Sequence, residues 1–203
     1  MFNSGISAKD LVAQLKNEVD VAIPISNASY VSWLNSLEQL LYTELIQEQG
    51  KIELDSVSSG VVGIDTLNVP NDENAVRFED IHAVYADQTQ LIESTVASGV
   101  IFPDTYYKIQ NNIGLNLKKQ AEKLKIIYFV RPALKTVDTN DNISSENVML
   151  PVEFIDLAKA KLRGEAYKVA NEDSIAAKWI NDYNVLLETF KAWISGKQSE
   201  FGM

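Results

Sequence analysis

The chain contains no cysteine, which removes disulfides, thiolate nucleophiles and cysteine-ligated metals together. Histidine is almost as scarce: His82 stands alone in 203 residues, so one chain cannot assemble a histidine metal cluster. Positive charge is in deficit. Eighteen Lys and Arg against 28 Asp and Glu leave a formal net charge of −10, which argues against a broad phosphate-gripping surface. No run nears the ~20 apolar residues of a membrane span. The opening MFNSGISAKDLVAQL also lacks the basic and apolar regions of a secretory signal, so the expectation is a soluble chain kept in the cytoplasm unless it leaves inside an assembly.

Nucleotide-cradling loops are missing as well. Gly60 and Gly63 are spaced G-x-x-G, but neither G-x-G-x-x-G nor G-x-x-x-x-G-K-[ST] occurs. His82 lies between Ile81 and Ala83 in a β-prone run and reads as an ordinary strand position; no G-x-S-x-G elbow accompanies it to suggest a triad. Carboxylate pairs are plentiful and fall where caps and turns are expected, as at Glu79-Asp80, Glu172-Asp173 and Glu153 with Asp156. The run Asp138 to Asn142 opens like a calcium loop, yet Ile143 replaces its glycine and Met149 its bidentate glutamate. Lys118, Lys119, Lys123 and Lys125 form a basic cluster interrupted by Glu122, which reads as a solvated hairpin tip. No catalytic residue, cofactor or metal is expected.

What the sequence does contain is a globular composition, 46% apolar and 9% aromatic, in a chain long enough to bury a sizeable core without staples. A short helix is predicted from an N-cap at Ser7, with Leu11, Val12, Leu15 and Val19 on one face. After Pro24 a second helix, capped by Asn27 or Ser29, carries Tyr30, Trp33, Leu34, Leu37, Leu41 and Leu45 and stops at Gln49-Gly50.

From Lys51 to Arg131 helical spacing gives way to short β-prone runs. Strands are expected at 51–54, 60–65 and 76–85, the last with a bulge near Glu79-Asp80. Tyr106–Gln110, a turn at Asn111-Asn112, Ile113–Leu117 and Leu124–Val130 then read as an antiparallel meander. Residues 88–104 read as a long loop and 136–147 as a polar one. Two helices close the chain. The first starts at Pro151 with Phe154, Leu157, Ala158, Leu162 and Ala166 inward. After a break at Asn171-Glu172-Asp173, the second places Ile175, Ala176, Trp179, Ile180, Tyr183, Leu186, Leu187, Phe190 and Ile194 at 3/4 spacing.

The expected fold class is α+β: a four-helix bundle formed by the N- and C-terminal helix pairs, with an inserted antiparallel β-meander. Its parts are N-terminal helices at 1–50, the β insert at 51–132, C-terminal helices at 133–195 and a tail at 196–203. In the expected core, Trp179, Tyr183, Leu187 and Phe190 pack against Leu34, Leu37 and Leu41. Ser195-Gly196 reads as a helix terminator, and Ile194, Phe201 and Met203 as apolar anchors for a partner.

The order of these segments resembles the head-to-tail adaptor (connector) proteins of tailed bacteriophages. The stretch YYKIQNNIGLNLKKQAEKLKIIYFVRP, residues 106–132, is similar to the β-meander of that family, with its Tyr-led strand, Asn turn and closing Arg-Pro. The polar loop that follows leads to a helix start at Leu150-Pro151-Val152-Glu153-Phe154, and Tyr167 and Ala176-Ala177-Lys178-Trp179 continue the pattern. So does SWLNSLEQLLYTEL in the N-terminal half.

The resemblance implies a non-catalytic virion protein, synthesised in the host cytoplasm, whose copies, about twelve, form a ring at the neck. Its partners would be the portal protein and tail-proximal neck proteins, with viral DNA passing through without specific binding; the portal contact would fall to Ile194, Phe201 and Met203. Another neck, tail-completion or minor capsid protein is the nearest alternative. A small-ligand-binding protein or enzyme built on the insert is the alternative from a different class.

Overall fold

A computed structural model describes residues 2–47, 49–63, 80–94, 103–109 and 112–200. It is an α+β protein whose chain divides into two units, Met1–Ile46 with Pro132–Met203, and Gln47–Arg131.

The first unit holds α1 (Ala8–Glu18), α2 (Asn27–Leu41), α3 (Ile155–Val169) and α4 (Asp173–Glu200). Ser7 caps α1: its hydroxyl accepts from the Asp10 amide at 3.0 Å and donates to the Asp10 carboxylate at 2.7 Å. The cap of α2 is Ser26, where Asn27 or Ser29 was expected, because Ser26 is the residue whose hydroxyl reaches the Ser29 amide. Past Leu41 the helix loosens into a π turn over Tyr42–Ile46, and Gln49-Gly50 opens a strand where a helix stop was expected.

Pro151 precedes a 3-10 turn at Val152–Phe154, from which α3 starts. The α3–α4 turn is a Schellman motif with Asn171 at φ 60°: the Glu172 amide donates to the Tyr167 carbonyl, and the Asn171 amide to that of Lys168. That short turn folds α4 back along α3. The two helices meet closely at Gly164, where an added Cβ would stand 3.1 Å from Cγ1 of Ile180.

All four helices contribute to one apolar core. It takes Leu11 and Leu15 from α1, Leu34, Leu37 and Leu41 from α2, Leu157 and Leu162 from α3, and Tyr183, Phe190 and Ile194 from α4. Trp179 and Leu187 are half-buried at its margin. Ile175 and Ile180 were expected inward but are each 40% exposed, so the buried stripe of α4 is narrower than its apolar stripe. Nor does α4 end at Ser195-Gly196. A glycine costs a helix only ~1 kcal/mol, and Ser195 turns its hydroxyl back to the Lys191 carbonyl at 3.0 Å, inside the helix that runs on to Glu200.

The expected meander is corrected in the second unit. Its strands are β1 (Gln49–Val57), β2 (Gly60–Gly63), β3 (Ile81–Ala86), β4 (Thr89–Gln90), β5 (Ile92–Glu93), β6 (Thr105–Ile109), β7 (Asn112–Asn116) and β8 (Ala121–Phe129). The β6–β7 hairpin forms, with Ile109 opposite Asn112. β8, however, leaves β7 for another sheet. One sheet has the order β1-β8-β3-β4 and the other β2-β7-β6-β5.

The cause lies in a long antiparallel ribbon that bends. β1 pairs β8 from Gln49↔Phe129 to Val57↔Ala121, and β2 pairs β7 from Gly60↔Leu115 to Gly63↔Asn112. Between the two blocks only Ser58 and Ser59 lie on one strand, against residues 116–120 on the other. Such unequal lengths force both strands to turn the corner together. Ser59 fixes the corner, its hydroxyl donating to the Leu117 carbonyl and accepting from the Leu117 amide, both at 2.8 Å.

Ile52, Val84, Leu124 and Ile126 from one sheet share a core with Tyr106, Ile113 and Leu115 from the other. Two cross-strand pairs set a tyrosine ring over a glycine, Tyr128 on Gly50 and Tyr107 on Gly114, where any Cβ would collide with the ring. A register shift in β3 comes at His82, between Ile81 and Ala83, and Glu79 of the expected bulge lies outside the described residues. The expected loop at 88–104 contains β4 and β5, the latter parallel to β6. Residues 64–79, and with them positions 76–79 of the expected strand 76–85 and 64–65 of the expected strand 60–65, lie outside the described residues.

Candidate interaction site

The polar features singled out by sequence resolve into local structural roles. Residues 136–144 form a small hairpin closed by the Val137↔Ile143 bridge, more ordered than the expected polar loop. The Asp138 carboxylate is taken up by the amides of Asn140 and Asn142, each at 2.8 Å, and by the Asn142 side chain at 2.9 Å. The Asn142 bonds hold its pKa below the usual aspartate range. Asn27, at the start of α2, ties down the hairpin tip by donating to the Asp141 carbonyl at 2.7 Å.

The lysine cluster is dispersed. Lys118 pairs with Asp104 at 3.4 Å, Lys123 faces Asp55 across β1–β8, and Lys125 faces Glu53 while standing 5.5 Å from the Tyr85 ring. Opposite charges thus face each other across the β1–β8 pair.

His82 is exposed, its ring 5.0 Å from that of Phe129. It borders a hollow of about 440 Å³ lined also by Gln90, Ile92, Glu93 and Tyr106. Tyr106 is buried and donates to Glu93 at 3.0 Å, and Lys108 approaches the same carboxylate at 3.3 Å. Burial, reinforced by the neighbouring Glu93, pushes the Tyr106 hydroxyl well above the usual tyrosine range. Among the described residues no group of three or more His, Asp or Glu is placed to hold a metal ion, and no helix is long and apolar enough to cross a membrane.

Two ion pairs, one partly and one fully buried, escaped the sequence reading. Asp80 accepts from Nε and Nη2 of Arg131, both at 2.7 Å, which joins the start of β3 to the end of β8. In the helical unit Glu38 and Lys135 form a pair whose side chains are both 0% exposed. Glu38 also accepts from the Met149 amide at 2.8 Å. Asn35, on the same face of α2, holds the main chain of Lys135 through both its amide and its carbonyl, at 2.9 Å each. Burial pushes the Glu38 carboxyl up despite the Lys135 ammonium beside it, so desolvation outweighs the attraction.

A groove of about 450 Å³ lies on the α3–α4 hairpin. Trp179, Val185 and Leu186 give it apolar lining, and Asp156, Lys159, Arg163 and Asp182 charged lining. The Arg163 guanidinium lies 4.4 Å from the centre of the Trp179 ring and is ion-paired with Glu18 of α1. This indole thus stacks on Arg163 of α3, at the margin of the core that holds Leu34, Leu37 and Leu41 of α2. Phe190 meets Phe154 edge-on at 4.9 Å.

Of the expected partner contacts, Ile194 is 6% exposed and occupied within the helical core, while Phe201 and Met203 lie outside the described residues. No protein-family model and no curated protein sequence matches the chain.

Proposed function

We propose that the chain is a structural subunit of a tailed-phage neck, an adaptor whose copies ring the portal and let DNA pass to the tail. The observation that carries this reading is the ordered likeness running from residues 106–132 through Leu150–Phe154 into the two closing helices. In this reading the four helices act as one bundle, built from the N- and C-terminal pairs, and carry the second unit as an insertion. The net charge of −10 is compatible with a ring that DNA slides through, because like charge disfavours adhesion to phosphate. A ring of about twelve copies, closed by head-to-tail contacts, would line that passage. Catalysis has no part in it, and no cofactor is required.

The portal contact is assigned to Phe201 and Met203, with Ile194 retained as packing inside the subunit. The test uses DNA-filled, tail-less heads of the encoding phage and the purified chain. Wild-type chain should bind these heads and restore infectivity, whereas Phe201→Ser with Met203→Ser should melt like wild type and fail to bind. Normal docking by the double variant would move the contact to another surface, and failure of the wild type to bind any head would remove the adaptor reading. The hollow beside His82, Glu93 and Tyr106 is where a ligand-binding reading would seat its ligand.

A further inference from the structure

The Glu38–Lys135 pair occupies a place where burial works against it. Both side chains are fully enclosed, and the carboxyl's pKa is raised although a lysine stands next to it. An ion pair in that situation is weak as a source of stability, since well-packed apolar residues of similar volume often replace it without loss. What it does supply is discrimination.

In the segment it holds, 133–137, one buried residue stands between exposed neighbours. Leu134 is 46% exposed, Lys135 is buried and Thr136 is exposed. Asn35 grips this segment through main-chain atoms alone, and would grip any residue equally well. At the contact with α2 it is the ammonium of Lys135, seated on Glu38, that distinguishes one register from the next, while Val137 is held separately by its bridge to Ile143. A one-residue slip would bury Leu134 or Thr136 at that point and leave Glu38 without its cation.

We propose that Glu38 and Lys135 form a register lock: they select which residue of the segment following the second unit seats on α2, and so fix where the chain re-enters the helical unit. Glu38 extends the lock to the far end of the 136–147 segment by accepting from the Met149 amide. The lock resembles in kind the single buried polar residue that sets the register of a helical pair at some cost in stability. It rests on the fold alone and is independent of the adaptor reading.

The experiment replaces both members, Glu38→Met with Lys135→Met, in the full chain. The double variant should melt cooperatively at or above the wild-type midpoint. Amide resonances of 133–137 and Met149 should nevertheless split into two or more sets, one of them with Leu134 methyl contacts to core residues. Lys135→Met alone, which strands the carboxylate, should melt well below both. A single set of resonances with wild-type contacts in the double variant would overturn the lock. A double variant that loses cooperative folding would overturn it as well, because the pair would then be a source of stability.

Discussion

Truncating Phe190 to alanine probes the centre of the helical core, and truncating Trp179 its margin. Phe190 is fully buried, edge-on to Phe154 at 4.9 Å and stacked with Trp193 at 6.0 Å. Removing a buried phenylalanine costs about 3–5 kcal/mol, from lost transfer energy and from the cavity left behind. The aromatic geometry adds ~0.5–1.5 kcal/mol, which places this site in the upper half of that range. Trp179 has more surface but only part of it is buried, and its main partner is the Arg163 guanidinium. Losing the cation–π contacts with Arg163 and Lys178 and a fraction of the burial comes to roughly 1–3 kcal/mol.

At about 3–4 °C per kcal/mol for a unit of this size, Phe190→Ala should lower the helical melting midpoint by on the order of 10–20 °C. Trp179→Ala should lower it by about half as much or less. Urea titrations followed by far-UV circular dichroism, with a thermal scan alongside, measure both. A Phe190→Ala cost below ~1 kcal/mol, or a Trp179→Ala cost equal to it, would refute the assignment of centre and margin.

Gly164→Ala should be nearly neutral, since the gain of ~1 kcal/mol in helix propensity is set against a Cβ 3.1 Å from the Ile180 side chain; Gly164→Leu should wedge the hairpin apart at a cost of about 1–3 kcal/mol, read by denaturant titration. At acid pH the hairpin at 136–144 should loosen. The lowered Asp138 pKa means its contribution is present above the unfolded carboxylate value and is lost as pH falls through the folded one, which amide shifts of Asn140 and Asn142 should report. At alkaline pH the sign is opposite for Tyr106, whose raised pKa gives stability present below the unfolded tyrosine value and lost as pH rises. Tyrosinate absorbance should therefore show one hydroxyl ionising only as the β unit unfolds, and Tyr106→Phe should abolish that step.

The helices were legible because their apolar residues recur at 3/4 spacing and their ends carry local chemistry: Ser7 with Asp10, and Asn171 at a positive φ. The C-terminal end was misread because a glycine signals a stop only where the chain turns, and at Gly196 it does not turn. Within α4 the apolar pattern is wider than the buried stripe, so spacing alone put Ile175 and Ile180 inward.

Most strands of the second unit were legible, the short β4 and β5 excepted, but partnership was not. Alternation says which residues share a face, whereas the transfer of β8 to the β1 sheet depends on the unequal strand lengths at the Ser59 corner. The Glu38–Lys135 pair was missed because charged residues are read as exposed by default. A signal was present: Glu38 falls in phase with Leu34, Leu37 and Leu41, on the buried stripe of α2.

The adaptor proposal meets its most direct test in an image of the particle. Cryo-electron microscopy of purified virions of the encoding phage, with the chain identified by its own fold in the density, should show one ring of about twelve copies between portal and tail. Density for the chain repeated along the tail tube, spread across the capsid shell, or missing from the particle would contradict it.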